Sequence, residues 1–480
     1  MTILVTGATG YVGGRLVPQL LNAGYRVRVL ARDSERLQDR PWRARVEIVQ
    51  GDVLQAETLA PALQGVEVAY YLVHSMSGFT EFHSRDVTAA RNFSYAARAA
   101  NVSRIIYLGG LGNPDEKLSP HLRSRHETGD ALRESGVPVT EFRAAIIVGS
   151  GSVSFEIIRA MTERVPLMIC PRWVYVRVQP IAIRDVLAYL VNALRVPESA
   201  GRIIEIGGAD VQTYASMMLG YARARGLRRV LIPVPVLTPK LSAYWVHWMT
   251  PISANIAHPL IEGLRNEVIV RDDVARRLFP HIQPLDYARA LDEALAQLDA
   301  SQVETSWSDA LLSSKGDAPQ QKFVYREGII TEARQRIVAA SPEAVFRVVT
   351  GLGGKRGWLY ADWLWHIRGA LDRLVGGVGL RRGRRHPDEL HVGDALDFWR
   401  VEKIEPNRLL RLRAEMKSPG PAWLEFRIES HNDNHTRLVQ TAFFIPKGLF
   451  GLLYWYALYP IHGIVFSGLI DAIAQHAEKK

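Results

Sequence analysis

A chain of 480 residues, 48% of them hydrophobic and 22% charged, has room for two or three domains, each with its own buried core. Its single cysteine, Cys170, excludes an intrachain disulfide and a cysteine zinc cage, so no metal site is expected, and it fits a reducing, cytoplasmic setting. The net charge of +10 favours anionic partners, but most of the arginines are scattered along helical stretches as on a solvated surface, and nucleic acid is not expected because neither a recognition helix nor an aromatic stacking platform is visible.

In chain order, residues 2–5 form a short buried strand and residues 12–22 have helical apolar spacing. Residues 26–30 alternate valine with arginine, as in a second strand. Apolar runs at 46–49, 68–73, 105–108, 139–148 and 203–206 continue the series, with helical stretches between them at 86–100 and 124–135. Strands alternating with helices predict a doubly wound parallel sheet, an α/β Rossmann domain. From 230 to 300 the pattern changes: Pro233, Pro235, Pro239, Pro251 and Pro259 break the chain into short pieces with Tyr244, Trp245 and Trp248, read as a small substrate lobe within a domain spanning 1–300. Residues 301–321 are polar and aperiodic, as in a linker. No leader is expected, because glycines follow the first apolar run at once and no basic segment precedes it.

Residues 322–480 have a different rhythm. Ser341 and Pro342 suit the cap and first turn of a helix reaching Val349. Strand-like segments follow at 395–404, 408–416, 422–430 and 436–444, and an apolar helical segment closes the chain. This is an α+β pattern. The last segment, 448–470, is almost free of charge and about long enough to span a bilayer. Pro460 predicts a helix starting near Tyr459 rather than one continuous span. Two readings stand: a helix buried against the sheet, which is favoured, or a segment that touches or crosses a membrane, with peripheral contact aided by Lys447 and the cluster Arg381, Arg382, Arg384 and Arg385.

The chemistry begins at Gly7-Ala8-Thr9-Gly10-Tyr11-Val12-Gly13, set between the first strand and the first helix. Gly7 permits a tight turn, Gly10 lets the backbone approach a pyrophosphate, and Gly13 lets helix and sheet close up. The free N–H groups and positive end of the helix then face the phosphates. At the end of the second strand Arg32 suits a 2′-phosphate, so NADP(H) is the expected cofactor; Asp33 leaves NAD(H) open. Asp52 and Val53 follow the third strand, where adenine is expected. Leu72, Val73 and His74 end the fourth strand at the same cleft.

These residues resemble the short-chain dehydrogenase/reductase superfamily in its extended and atypical, NmrA-like branches, over roughly the first 300 residues. The strand 104–107, the segment 139–143 and the segment 179–186 carry the same resemblance. It implies an oxidoreductase with a Tyr-x-x-x-Lys pair and a serine. In this chain His121 and Arg125 occupy the matching pair, and Gly109 or Gly110 the serine position, so all three members are changed. His121 is then the candidate acid, or else a capping residue. Arg125 retains the cationic role, although it cannot release its proton. The segment around 339–346 resembles the helix-grip, START-like and polyketide-cyclase-like architecture, which implies a curved antiparallel sheet around a long last helix and a small apolar ligand. The expected function is reduction of a hydrophobic small molecule; the alternative is a non-catalytic NADP(H)-binding redox sensor or assembly factor.

Overall fold

The computed structural model describes residues 1–480 except 38–39, 74–81, 115, 117, 235–262, 264–265, 300–320, 327, 375–378, 380–389, 433–434 and 480. The expected linker and most of the proline-rich lobe, including Tyr244, Trp245 and Trp248, lie outside the described residues, as does the arginine cluster 381–385. The chain divides into two compact units, Met1–Lys315 and Gly316–Lys480.

In the first unit, β1 (Thr2–Thr6), β2 (Arg26–Ala31), β3 (Glu47–Gln50), β4 (Val68–Tyr71), β5 (Arg104–Gly110), β6 (Val139–Ala144) and β7 (Ile203–Ile206) form one sheet. Its order is β7-β6-β5-β4-β1-β2-β3 and every pairing is parallel. The order reverses between β1 and β4, which opens a crevice at their carboxyl ends. The inner strands are buried on both faces, with Ile3, Leu4, Val5, Tyr70, Ile105 and Ile106 almost inaccessible. That double burial explains why they read as unbroken apolar runs. The flanking helices include α1 (Tyr11–Asn22), α2 (Phe82–Ala99), α3 (Pro120–Arg133), α4 (Val153–Arg164), α5 (Ile183–Asn192), α6 (Tyr214–Ala224) and α7 (Tyr287–Asp299). α3 starts earlier than its apolar spacing predicts, because Ser119 accepts the Leu122 N–H at 3.3 Å and Pro120 fills the first turn. The single strand expected over 139–148 is two: β6 ends at Ala144, and Ile147–Val148 pairs instead with Ile181–Ala182.

The second unit is an antiparallel sheet of β8 (Gln321–Arg326), β9 (Ile329–Val338), β10 (Ala395–Leu396), β11 (Trp399–Glu405), β12 (Leu409–Ala414), β13 (Ala422–Asn432) and β14 (His435–Phe444). Its order is β8-β9-β14-β13-β12-β11-β10. The expected strand 395–404 is interrupted where Asp397, with φ of 55°, turns the chain between β10 and β11. α8 (Pro342–Thr350), α9 (Asp362–Leu374) and α10 (Gly448–Glu478) complete the unit. α10 runs straight through Pro460, which corrects the expected start near Tyr459. A proline inside a helix costs about 3 kcal/mol, and here the burial of Leu452, Trp455, Val465, Phe466, Leu469 and Ile473 on the inner face of the same helix offsets it. Glycines fit α10 to its surroundings: a Cβ at Gly468 would overlap the Tyr360 ring, and one at Gly451 would come within 2.7 Å of the Pro419 carbonyl oxygen.

Three buried carboxylates share one local device. Glu141 and Arg143, Glu332 and Arg334, and Glu425 and Arg427 each lie two residues apart on one strand, hence on one face of the sheet. Arg143 Nε meets Glu141 at 2.6 Å, and Arg334 Nη2 meets Glu332 at 2.5 Å.

Candidate functional site

The dinucleotide cradle is built at the reversal of strand order. Gly7 has φ of 70°, and a Cβ there would overlap the backbone carbonyl of Leu72 just beyond β4. A Cβ at Gly13 would overlap the Gly7 carbonyl. The turn is closed by the Gly10 N–H donating to the Gly7 carbonyl at 2.9 Å. Thr6, directly before the glycine loop, ties the two central strands at the crevice. Its hydroxyl donates to the Tyr70 carbonyl at 3.1 Å and accepts the Leu72 N–H at 3.0 Å. Gly10 caps α1 without a side-chain acceptor, which leaves the first-turn N–H groups to an anion. A glycine cradle that no Cβ could enter, below an uncapped helix, fits the pyrophosphate of a dinucleotide.

Around it, Arg32 is exposed directly after β2, while its carbonyl accepts from Gln50 Nε2 at 3.3 Å. Asp52 accepts the Leu54 N–H at 3.0 Å, and Thr58 Oγ1 accepts the Asp52 N–H at 3.0 Å, so a local turn fixes the carboxylate. Val53 is buried, and Leu72 and Val73 are half-buried. His74 lies outside the described residues. One residue that sequence reasoning missed is Arg15, buried on α1, whose guanidinium donates to the Ser150 carbonyl at 2.9 Å and lies 4.2 Å from the centre of the Tyr11 ring. An arginine two residues after the glycine loop was the available signal.

At the far side of the crevice α3 meets the end of β5. Gly109 and Gly110 leave no side chain there; a Cβ at Gly110 would press on Leu122 at 3.0 Å and Arg125 at 3.5 Å. Arg125 donates to the Leu108 carbonyl, and its guanidinium carbon sits 5.2 Å from the Tyr107 ring centre. Tyr107 donates to the Arg125 carbonyl at 3.0 Å, and burial pushes its phenol up to about 12. His121 is half-buried on the first turn of α3. The structure thus gathers Arg125 and both glycines at one strand end, with His121 one helical turn away. It adds His126, which sequence reasoning missed although it adjoins Arg125. Its Nε2 lies 3.1 Å from the Gly110 carbonyl, and burial, reinforced by Arg143, holds its imidazole below the usual range, hence neutral.

The second unit holds an apolar cavity of about 130 Å³ between sheet and helices, lined among others by Trp365, Phe398, Trp399, Trp455, His462 and Phe466. The indole nitrogens of Trp365, Trp399 and Trp455 and Nδ1 of His462 are buried without a hydrogen-bond partner among the described residues. Burial pushes His462 down to about 4, so the imidazole is neutral.

Comparison with known proteins agrees with this division. Residues 7–164 match a family described as NAD(P)H-binding, and residues 328–469 match a family described as a protein of unknown function, DUF2867. Ceramide reductase of Caulobacter vibrioides is 30% identical over 239 residues, 48% of this chain and 73% of the relative. Photosystem II assembly factor Ycf39 of Trieres chinensis is 24% identical over 273 residues, 56% of this chain and 83% of the relative. In fold, the NADPH-dependent quinone oxidoreductase of Escherichia coli, solved with NADPH, superposes with a TM-score of 0.51 at 19% identity, over 61% of this chain and 99% of that one. The first unit is an NAD(P)H-binding domain, and through it the chain belongs to the Rossmann-type family of atypical, NmrA-like short-chain dehydrogenases/reductases.

Proposed function

We propose that the first unit is an NADPH-dependent reductase of a hydrophobic carbonyl or conjugated alkene compound, and that the second is a helix-grip module for a small apolar ligand. The glycine cradle carries the first part: Gly7 pressed on the Leu72 carbonyl under an uncapped α1 is a site for a diphosphate. A bound nicotinamide supplies the hydride. The chain supplies position and protons. For a carbonyl, hydride adds to carbon, the C=O π electrons pass to oxygen, and that oxygen takes a proton from His121. Arg125 and Gly109, at the end of β5, would hold the nicotinamide ribose.

Arg32, exposed directly after β2, would hold the 2′-phosphate on the ribose of the adenosine half. Arg32→Ala is expected to weaken NADPH by about tenfold or more, the loss of a charge-assisted contact of ~1.5 kcal/mol, and to leave NADH nearly unchanged. Calorimetric titration of both cofactors checks this; equal losses for the two defeat the preference.

A second reading has its own support. Arg125 is engaged by the Leu108 carbonyl, glycine stands where the superfamily places serine, and Ycf39, a similar protein, is described as an assembly factor. On that reading NADPH is held and not turned over. Stopped assays decide: with NADPH bound, quinones and aryl ketones are added and the reduced nicotinamide absorbance is followed. A reductase consumes NADPH, and His121→Ala lowers kcat about a hundredfold, the scale of a lost general acid. Firm binding with no oxidation by any acceptor establishes the non-catalytic reading.

A further inference from the structure

The outer surface of the second unit inverts the usual pattern. Between 449 and 464 on α10 every exposed position carries an apolar or aromatic side chain. The largest are Phe450 at 72% exposure, Leu453 at 58%, Tyr456 at 51% and Ile464 at 62%. The first three are three residues apart and Ile464 follows about two turns later, which places them on one stripe, about 21 Å long at 1.5 Å per residue. The same helix reverts to polar exposure beyond Ala474, with Gln475, His476, Glu478 and Lys479. α9 carries a matching stripe: Trp363, Ile367, Leu371 and Leu374 are all exposed at i, i+4, i+8 and i+11. Arg368 of α9 donates to the Tyr454 hydroxyl of α10 at 3.0 Å and the Trp365 and Phe466 rings meet at 6.5 Å, so the two helices touch through side chains, and both line the apolar cavity. Ile461 belongs to both the outer stripe and the cavity wall.

We infer that this two-helix face lies in the interfacial layer of a membrane whose surface is anionic. Scattered exposed apolar residues are ordinary, but an apolar stripe on each of two helices that line one cavity is not. Charge selects lipid over a second copy of the chain. Lys447 is exposed just before α10 and Arg373 is exposed on α9 beside the stripe. No acidic residue lies between 448 and 470, Asp372 is buried, accepting the N–H groups of Lys417 and Gly379, Asp471 pairs with Arg336, and Asp362 at the start of α9 accepts the Trp358 N–H and lies 3.2 Å from His366. Such cations attract phospholipid headgroups. Two copies pairing through this face would bring like charges together. α10 is long and apolar enough to cross a bilayer, but its inner face is committed to the core through Leu452, Trp455, Phe466 and Leu469, so the helix lies on the membrane rather than through it. The shared residue Ile461 gives the cavity a wall on that face, a route for an apolar ligand that partitions into lipid.

The test is co-sedimentation of the full-length protein with vesicles of phosphatidylcholine alone, or with one third phosphatidylglycerol. The protein is expected to pellet with the anionic vesicles and to be released by an alkaline carbonate wash. The triple variant Phe450→Glu, Leu453→Glu, Ile464→Glu, at exposed positions, is expected to lower the bound fraction by about tenfold or more, as expected when buried apolar area is lost. NADPH binding and far-ultraviolet dichroism report that this variant is folded, and they are independent of whether the first unit turns over substrate. Wild type left in the supernatant with anionic vesicles, a triple variant that pellets equally, or protein that resists the carbonate wash overturns the inference. So does a dimer in light scattering that the triple variant converts to monomer without any vesicle binding.

Discussion

Gly7→Val is expected to abolish measurable NADPH binding, a loss of about a hundredfold or more, equivalent to ~2.8 kcal/mol, and to destabilise the first unit. Two physical costs combine. A β-branched residue at φ of 70° is a steric outlier. Its Cβ also has no room, because the Leu72 backbone carbonyl occupies that place and is itself held by the Thr6 hydroxyl through the Leu72 N–H. The backbone must open where the diphosphate is cradled, so affinity and stability fall together; about 2–5 kcal/mol of stability is at stake. Gly24→Ala is the matched control. It has φ of 85° with nothing within 4 Å of an added Cβ. It should lose only about 1 kcal/mol to backbone strain and bind NADPH as wild type does. Calorimetric titration together with thermal unfolding separates the two; normal NADPH affinity in Gly7→Val would remove the cradle from its assigned place.

The second large effect is a buried charge. Glu141 on β6 is inaccessible and bridges Arg143, 7% exposed, and Arg133 of α3. Glu141→Ala leaves the Arg143 guanidinium without its anion in a closed site, which costs about 3–5 kcal/mol. The double variant Glu141→Leu, Arg143→Met removes both charges and should recover much of that loss, since a buried pair gains little over well-packed apolar groups. Urea unfolding of the three proteins gives the answer: the single variant shifts the midpoint strongly at an unchanged slope, and the double variant returns most of the way. If both variants fall equally, the carboxylate acts through packing and not through its charge.

Local chemistry was readable and long-range pairing was not. Gly7, Gly10 and Gly13 announced the cradle because their spacing, the strand before and the helix after all lie within a dozen residues. Ser341 and Pro342 announced α8 for the same reason. By contrast, the strand expected over 139–148 continued past its end, because an apolar run does not say which sheet each part joins. Pro460 was overweighted: local propensity argued for a break, and the packing of the turns on either side prevailed. The device shared by Glu141, Glu332 and Glu425 stayed hidden, since a charged residue in a strand ordinarily signals the wet face and only the folded sheet shows all three enclosed. His121 holds the motif position and His126 does not, yet in the fold it is His126 that the β5 terminus approaches.

The fit at the two glycines of α10 has a mechanical consequence. A smooth cylinder can roll in its groove, but with Pro419 facing Gly451 and the Tyr360 ring seated on Gly468 the helix is keyed at two points seventeen residues apart. Its azimuth is therefore locked to the sheet beneath it. Whatever settles against Phe450 and Ile464 does not merely hold a flexible tail; it fixes the tilt of the entire second unit.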